Sequence, residues 1–370
     1  MKILFAGDAS NMHNCLATKL REMGHYAVVA SDGSGWMNTG RDIDLHRKPG
    51  KLGAIEYVAK ILANLHKMRG FDIVELASPI FLQLKPWRVR RIFDYLKKHN
   101  GKVVLSALGT DYVYYKACHD GHTYRYSDYM IGAKPSPFVE SKEYKNQLQD
   151  NWKANFMKQH SDYVLQRIDG VVACLWEYYA AYEPIMGKKV IHAGIPIDVD
   201  KLKPHFIESE PEKVRFFIGI QRDRTVLKGT DRLLAALKKV HQQMPDFCEI
   251  ERVENLPYHE YVRRMHNSHV LLDQLYSYTP ATNALLAMAQ GLVAVSGAEP
   301  EYYQLIREST NHPIINVRPV PEGDIEEKLR WIITHKSILP KLSADSRAFV
   351  EKHNASAIVA NRYLNFWQSL

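Results

Sequence analysis

Residues 214–243 read VRFFIGIQRDRTVLKGTDRLLAALKKVHQQ, and their pattern indicates the fold class. Its first residues are mostly apolar, which predicts a buried strand at 214–219. A cationic loop follows, and from residue 230 to residue 243 apolar side chains recur at helical spacing. A buried strand that leads through a short loop into an amphipathic helix is the repeating unit of a parallel α/β sheet.

The same alternation continues on both sides of this unit. Toward the C-terminus it predicts strands at 270–273, 292–296 and 314–315, a helix at 283–290 and helical structure over 343–370. Toward the N-terminus it predicts strands at 3–7, 26–30, 71–76, 102–105 and 170–174, and a helix over 12–23 that Gly24 ends. Short apolar strands separated by helices predict parallel sheets that are covered on both faces.

A turn-rich stretch at 193–212 separates the two alternating halves. We therefore predict two Rossmann-like, doubly wound α/β domains, over 1–192 and 193–354, with the helical end 355–370 packing back on the first. Open parallel sheets bind ligands beyond the carboxyl ends of their strands. Two such domains that face a central cleft would hold one substrate on each side.

Composition narrows the class of protein. The 370 residues are 46% hydrophobic and 24% charged, which is typical of a globular chain and excludes a disordered one. Basic residues exceed acidic ones by 49 to 41, and this charge of +8 favours an anionic small molecule or membrane surface over nucleic acid. Four cysteines without C-x-x-C spacing predict free thiols rather than a zinc site or a disulfide scaffold. A first segment unlike a signal peptide, and no long apolar run, predict a cytoplasmic protein.

The loop at 219–229 carries the most chemical information. Arg222, Arg224 and Lys228 lie between the end of a predicted strand and the start of a predicted helix. Cations at such a point form a natural clamp for a pyrophosphate group. The alternative is a charged surface loop in which the cations pair with Asp223.

Two further loops follow predicted strands. Residues 7–11, GDASN, lack the later glycines of a G-x-G-x-x-G fingerprint, which argues against a dinucleotide site. Gly7 is interpreted as a tight turn that brings backbone close to a substrate, or as part of an ordinary turn capped by Ser10 or Asn11. Residues 276–283, YSYTPATN, place hydroxyl and amide groups at the start of a predicted helix. This arrangement predicts either a site that binds an anion or an ordinary helix N-cap by Thr282 or Asn283.

A tyrosine-rich stretch at 112–129 follows Asp111. Aromatic faces stack on sugar rings, so this stretch is interpreted as an acceptor-binding insertion, and packing over the first domain is the alternative. His119, Asp120 and His122 have the side chains of metal ligands but no recognised spacing, and we expect no metal site.

Several segments resemble, in order and spacing, those of GT-B glycosyltransferases of the family 4, or group 1, type. Residues 228–237, KGTDRLLAAL, are similar to the K-G-x-d-x-l-l-x-A stretch of that family. Other similar segments are 72–79 (DIVELASP), 109–111 (GTD), 191–198 (IHAGIPID), 254–261 (ENLPYHEY), 287–291 (AMAQG) and 300–301 (PE).

The resemblance implies a glycosyltransferase that moves a sugar from a UDP- or GDP-linked donor to a hydroxyl acceptor, without a further cofactor, in surface polysaccharide or glycoconjugate synthesis. It implies that Lys228, with Arg222 or Arg224, holds the donor diphosphate. Asp111 would be the catalytic base if the enzyme inverts configuration, or would orient the acceptor if it retains configuration. The remaining donor contacts would be Gly7, Glu254, Asn255, Tyr258, Tyr278, Thr279, Thr282 and Asn283. The acceptor would be a saccharide or a lipid-linked saccharide, reached by peripheral contact with the inner face of a membrane.

The sequence departs from the family at two places. The positions of its E-x7-E pair are Tyr278 and Leu286, and Leu108 stands where a histidine is often found. Leucine offers no hydrogen bond and tyrosine offers only a neutral hydroxyl. Two alternatives therefore stand beside an active transferase: a GT-B chain that binds without catalysis, and a nucleotide-sugar epimerase or other enzyme of similar architecture.

Overall fold

The computed structural model describes residues 1–146 and 152–370. Its strands are short and are, in chain order, β1 (Lys2–Ala6), β2 (Tyr26–Ser31), β3 (Ile43–Asp44), β4 (Ile73–Leu76), β5 (Lys102–Ala107), β6 (Met130–Ile131), β7 (Lys134–Pro135), β8 (Gly170–Ala173), β9 (Val190–His192), β10 (Val214–Ile220), β11 (Cys248–Glu254), β12 (Val270–Leu272), β13 (Val293–Ser296) and β14 (Ile315–Asn316).

The helices alternate with these strands and are, in chain order, α1 (Met12–Glu22), α2 (Gly50–Asn64), α3 (Pro86–His99), α4 (Tyr112–Cys118), α5 (Pro137–Glu140), α6 (Lys142–Asn146), α7 (Asn155–Leu165), α8 (Trp176–Met186), α9 (Thr225–Lys228), α10 (Thr230–Gln243), α11 (Tyr258–Met265), α12 (Thr282–Ala289), α13 (Pro300–Leu305), α14 (Asp324–Thr334), α15 (Leu339–His353) and α16 (Ser356–Ser369). Within the described ranges, no helix combines the length and apolar character that crossing a membrane requires.

The first sheet is parallel throughout, and its strands lie in the order β3-β2-β1-β4-β5-β8-β9. The order reverses at β1, so that β1 pairs with β2 on one side and with β4 on the other. Side chains on both faces of the central strands are buried, as Ile3, Leu4 and Phe5 of β1 show. A strand covered on both faces must be apolar at consecutive positions, which is why these strands were visible in the sequence.

The second sheet is also parallel and has the order β11-β10-β12-β13-β14. Strand β10 lies between β11 and β12, and Phe216, Phe217 and Ile218 of this strand have no exposed surface. Helix α10 packs Leu233, Leu237 and other apolar side chains into the same core. The two parallel sheets with helices between their strands confirm the predicted doubly wound α/β class.

The chain divides into two compact units. The first unit consists of Met1–Tyr115, the described residues of 151–196, and Ser356–Leu370. The second unit consists of the described residues of 116–150 and of Ile197–Ala355. In the first unit, α16 packs Val359, Tyr363 and Trp367 onto the core that includes β1.

The division differs from the domains inferred from sequence for the stretch 116–146, which the sequence interpretation assigned to the N-terminal domain. In the structure this stretch clusters with the C-terminal half instead. Its partners there, such as Tyr278 and Glu299, lie more than 150 residues further along the chain. The domain boundary was inferred from the local composition of the sequence, which contains no information on contacts between residues so distant in sequence.

Candidate functional site

The predicted phosphate clamp lies at the carboxyl edge of the second sheet. The strand order reverses between β11-β10 and β12, which makes the ends of β10 and β12 the switch point of this sheet. Arg222, Arg224 and Lys228 follow β10, and Asp273 follows β12. Open α/β sheets bind ligands at such a point, outside the carboxyl ends of the strands.

Lys228 is half-buried at this edge. Burial lowers the pKa of its ammonium group, Asp273 raises it, and Arg224 lowers it further, and the net direction is downward. The carbonyl of Lys228 accepts a hydrogen bond from the Leu275 amide at 2.9 Å, which ties the end of α9 to the loop after β12. Gly229 follows with φ of 68°, and a Cβ there would lie 2.7 Å from the Leu275 Cβ, so this turn requires glycine.

The two arginines differ in their surroundings. Arg222 is exposed and pairs with Glu254, which also accepts a hydrogen bond from Arg252 at 2.8 Å. The bond from Arg222 is the main reason that the pKa of Glu254 is lowered. Arg224 is exposed too, and within the described ranges no carboxylate pairs with it. The structure therefore places Arg222 and Glu254 together and leaves Arg224 as the unpaired cation beside Lys228.

A carboxylate from the stretch 116–146 covers the turn before Lys228. Glu143 accepts hydrogen bonds from the amide of Val226 at 3.0 Å to each carboxylate oxygen, and from the amide of Leu227 at 3.1 Å. These amides thus hold an anionic group from the same unit. Sequence reasoning missed Glu143, since nothing in a short polar helix marks it as a partner of residues 83 and 84 positions away.

Some of the predicted donor residues lie after β11 and others after β12. Asn255 has a positive φ of 47° at the end of β11, and Tyr258 begins α11. Thr279 is buried, and Ala281 rather than Thr282 or Asn283 occupies the cap position of α12, without a side-chain cap.

Asn283 has another role in the structure. Its amide oxygen accepts from the Tyr261 hydroxyl at 2.8 Å, and its amide nitrogen donates to Asp273 at 3.2 Å. Asn283 therefore connects α11 and α12 to the buried Asp273 at the switch point.

Tyr278 is held by the stretch 116–146. Its hydroxyl accepts from the backbone amide of Arg125 at 2.6 Å and from that of Tyr126 at 3.3 Å. The rings of Tyr278 and Tyr126 are stacked with their centroids 4.8 Å apart, and the Arg125 guanidinium lies 5.1 Å from the Tyr278 ring centroid. Where the family has a glutamate, this chain has a buried tyrosine that anchors a second segment.

Glu299, just after β13, is the centre of a buried ion network that sequence reasoning missed. Its carboxylate accepts from Arg318 at 2.6 and 3.0 Å, from Arg125 at 2.7 Å, and from both the Tyr126 hydroxyl and the Asn316 amide at 2.8 Å. Burial raises the pKa of Glu299, but these donors and the Arg318 charge outweigh it, so the net shift is downward. The only signal in the sequence is its place beside Pro300 at the end of a strand.

In the first unit, Gly7 lies at the corresponding switch point, after β1. Its φ is 87°, and a Cβ at this position would lie 2.8 Å from the Cβ of Ala77, which follows β4. The Gly7 carbonyl accepts from His13 Nδ1 at 2.8 Å, and the Asp8 carboxylate accepts from the His13 amide at 2.8 Å. Asp8, rather than Ser10 or Asn11, therefore satisfies the amide at the start of α1.

His13 continues into a buried polar chain. His13 Nε2 lies 3.0 Å from Ser106 Oγ, Ser106 Oγ lies 2.6 Å from Glu75 Oε1, and Trp367 Nε1 donates to Glu75 Oε2 at 2.9 Å. Burial raises the pKa of Glu75 to about 8 and lowers that of His13. Glu75 is therefore mainly protonated at neutral pH, and this hydrogen-bonded series of side chains carries no net charge.

Asp111, the predicted catalytic residue, is buried at the start of α4. One carboxylate oxygen accepts from the Tyr182 hydroxyl, and the other accepts from the Tyr114 amide at 2.9 Å. Burial raises the pKa of Asp111 to about 6, against the opposing effect of these donors. Both oxygens thus already have partners inside the first unit.

The tyrosine-rich stretch contains both buried and half-buried tyrosines. Tyr114, Tyr126 and Tyr129 are buried, whereas Tyr124 is half-buried with its ring 6.0 Å from that of Tyr278. Across 1–146 and 152–370, no three His, Cys, Asp or Glu side chains are grouped as ligands of a metal ion would be.

Comparison with known proteins gives matches in structure alone. No family model matches the chain, and no curated protein matches it in sequence. Sucrose-phosphate synthase from Thermosynechococcus elongatus aligns with a TM-score of 0.64 and 12% identity, over 100% of this chain and 99% of that one.

Two glycosyltransferases align over the whole chain as well. An enzyme from Rickettsia africae has a TM-score of 0.58 and 14% identity, over 100% of this chain and 98% of that one. HepE from Anabaena, solved in complex with UDP-glucose, has a TM-score of 0.57 and 14% identity over 100% of both chains. These likenesses confirm the predicted GT-B fold, and at such identities they concern the fold alone.

Proposed function

We propose that this protein is a glycosyltransferase that moves a sugar from a UDP- or GDP-linked donor to a hydroxyl acceptor, in surface polysaccharide or glycoconjugate synthesis. The observation that carries the proposal is the group of cations at the switch point of the second sheet. Both Arg224 and Asp273 are near enough to affect the pKa of Lys228 there, the first lowering it and the second raising it. The full-length structural likeness to HepE, which was solved with UDP-glucose, supports the same donor class.

The chemistry follows from charge. When the bond between the anomeric carbon and the diphosphate breaks, negative charge develops on the phosphate oxygens, and fixed cations stabilise that charge more in the transition state than in the ground state. Lys228 would supply one cation and Arg224 the second, since Arg222 already pairs with Glu254. In this proposal the reaction uses no further cofactor, because the side chains themselves neutralise the leaving group. The partly buried Lys228 would interact with the phosphates in a lower dielectric than bulk water offers.

The remaining predicted contacts are assigned as proposals. Asn255 and Tyr258 would border the nucleotide, and Thr279 and Thr282 would offer hydroxyl or amide groups to the donor sugar or phosphate. Gly7 would bring its backbone close to a substrate at the first switch point. Asp111 would orient the acceptor, because a base role would require the Tyr182 hydroxyl to release one oxygen.

A direct test measures the release of free nucleoside diphosphate from UDP- and GDP-sugars by the purified full chain. Lys228→Ala should reduce the turnover number at least about 100-fold, the usual effect of removing one donor to a developing charge. Lys239→Ala, which removes an exposed lysine of α10 in the same unit, is the matched control and should keep wild-type turnover. Equal turnover of wild type and Lys228→Ala would contradict the proposed phosphate site.

A non-catalytic GT-B binding protein is the second candidate function. Two observations favour it: Leu286 replaces the second glutamate of the family pair, and the Tyr278 hydroxyl is already bonded to the amides of Arg125 and Tyr126. This candidate predicts that nucleoside diphosphates raise the unfolding temperature while no nucleotide sugar is ever consumed. Measured sugar transfer to any acceptor would exclude it.

We further propose a cytoplasmic protein that contacts an anionic membrane surface when its acceptor is lipid-linked. The formal charge of +8 would favour such contact electrostatically. Sedimentation with vesicles that contain anionic lipid, compared with neutral vesicles at the same ionic strength, tests this part separately. Equal sedimentation with both vesicle types would contradict membrane contact and leave the donor chemistry unaffected.

A further inference from the structure

A cavity of about 710 Å³ lies in the second unit, outside the set of residues predicted to hold the donor. It is lined by α13, by the residues that follow this helix, and by the end of β14 with Arg318. Neither Lys228 nor the two arginines of the loop after β10 belong to its lining. Its size falls in the range of small-molecule sites, roughly 300–1,000 Å³.

Arg307 gives the cavity an uncompensated positive charge. It is exposed, and within 1–146 and 152–370 no carboxylate pairs with it. The neighbouring carboxylate of Glu308 does not neutralise it, because Glu308 is buried and bonded to Lys352 at 2.7 Å and His353 at 2.8 Å. Arg318, which also lines the cavity, is bound to Glu299. An anionic group that enters the cavity therefore meets one guanidinium with no competing partner.

The backbone of Arg307 is in the left-handed region, with φ of 54°. It lies just past the end of α13, where the amide of Glu308 donates back to the Tyr303 carbonyl at 2.9 Å. Glycine adopts this conformation at lower cost than any residue with a Cβ. The chain thus carries an arginine side chain at a position where the backbone conformation favours glycine.

Tyr303 supplies a second unsatisfied group in the same lining. The tyrosine is buried, and its hydroxyl lies against the backbone at Ile314 without a hydrogen bond of acceptable geometry. Its ring is stacked on that of His312, with centroids 3.9 Å apart. A buried hydroxyl without a partner is unfavourable, and a ligand oxygen in the cavity would remove this penalty.

We propose that this cavity binds an anionic saccharide, that is, a sugar that carries a phosphate or a carboxylate. Arg307 would pair with the anionic group, since guanidinium matches both anions in geometry. The Tyr303 hydroxyl and the Gln304 amide would hydrogen-bond the sugar hydroxyls. This site adds to the proposed transferase function and does not depend on it, because none of its residues belongs to the predicted donor set.

The test is calorimetric titration of the full chain with four probes: glucose 6-phosphate, glucuronate, glucose and inorganic phosphate. The two anionic sugars should bind, and glucose and inorganic phosphate should each bind at least about tenfold more weakly, because each lacks one half of the recognised chemistry. Arg307→Ala should weaken the binding of both anionic sugars about tenfold or more. Tyr303→Phe keeps the ring packing and should weaken binding by a smaller factor.

Matched controls separate this site from general charge effects. Arg330→Ala removes an arginine from the surface of α14 in the same unit and should leave the affinities unchanged. Lys228→Ala should also leave them unchanged, and this variant distinguishes the cavity from the proposed donor site. The proposal is overturned if no anionic sugar binds at millimolar concentration, or if Arg307→Ala binds as wild type does. It is equally overturned if inorganic phosphate binds as tightly as glucose 6-phosphate, or if Lys228→Ala alone abolishes binding.

Discussion

The two units each contain a fully buried glutamate, and the two groups are in opposite protonation states. Glu75 of the first unit and Glu299 of the second are both 0% exposed. Burial alone would raise the pKa of each, yet it raises that of Glu75 to about 8 while the pKa of Glu299 is lowered. The partners explain the difference: Ser106 and Trp367 offer Glu75 only neutral donors, whereas Glu299 receives two guanidinium groups.

Burial alone therefore does not determine whether a carboxyl group is charged. A carboxylate that leaves water keeps its charge only where cations and several hydrogen bonds replace the lost hydration. The buried carboxyl group of Glu75 in the first unit is therefore mainly neutral, and that of Glu299 in the second is ionised. Arg224 and Lys228 of the candidate site also belong to the second unit.

Among the variants considered, we expect the greatest loss of stability from a substitution in the second unit. Glu299→Gln leaves the guanidinium groups of Arg125 and Arg318 without their shared anion, and we expect a loss of about 2–3 kcal/mol in the free energy of unfolding. This loss is smaller than the loss from breaking a fully buried ion pair, because the arginine side chains are 55% and 43% exposed. Urea denaturation of the full chain measures it.

Glu301→Gln is the matched control for this variant, since Glu301 pairs with Arg125 but is 29% exposed. It should cost less than about 1 kcal/mol, as partly solvated pairs do. If both variants cost the same, Glu299 is not the centre of the network.

In the first unit, Glu75 should make the free energy of unfolding depend on pH. Native Glu75 keeps its proton up to a pKa of about 8, whereas the unfolded chain releases it near 4.5. Between these values the native state binds more protons, so its contribution to stability is complete below pH 4.5 and decreases by up to about 1.4 kcal/mol per pH unit as the pH rises. Glu75→Gln is neutral at every pH and should flatten this part of the stability profile.

Unfolding free energies measured from pH 4.5 to 8 check this prediction, with Glu56→Gln as the control for an exposed glutamate of α2. A wild-type slope in Glu75→Gln would mean that Glu75 is ionised when buried, as Glu299 is. Glu299 has the opposite sign, because its stabilisation is complete above pH 4.5 and is lost as the pH falls toward its lowered pKa.

The smallest effect concerns Glu143, a third carboxylate, which is held by backbone amides instead of side chains. If the donor diphosphate binds at Lys228, a negative charge on the preceding turn opposes it. Glu143→Gln keeps the shape and removes the charge, so the KM for the donor should fall about two- to threefold, the scale of a solvent-screened pair. Glu140→Gln, in α5 of the same stretch, should leave KM unchanged, and an unchanged KM in Glu143→Gln would show that the charge lies too far from the donor to matter.

Much of the fold was predictable from local pattern. Strands such as β1 and β10 are buried on both faces, so their apolar runs appear directly in the sequence, and the helices between them have clear periodicity. The strand β11 was missed because it lies at the edge of its sheet, where residues such as Glu249 and Arg252 are exposed and interrupt the apolar pattern.

The candidate site was predictable only where it depends on sequence neighbours. The cationic loop after β10 is one continuous segment, so Arg222, Arg224 and Lys228 were identified together. Arg125 and Tyr126, which bind Glu299 and the Tyr278 hydroxyl, come from a stretch more than 150 residues away, and no local pattern indicates such pairings. The roles of Asp111 and the other predicted donor residues stay predictions until substrate contacts are measured.

Each unit contains segments that are far apart in sequence and are therefore synthesised at different times on the ribosome. The first unit receives the Trp367 donor to Glu75 only from its last helix, and the second receives Arg125 and Tyr126 from a segment made long before β10. Domains generally fold as units while the N-terminal part emerges first. The residues of the first unit that precede 197 are therefore synthesised before α16, the helix that supplies Trp367 to their core.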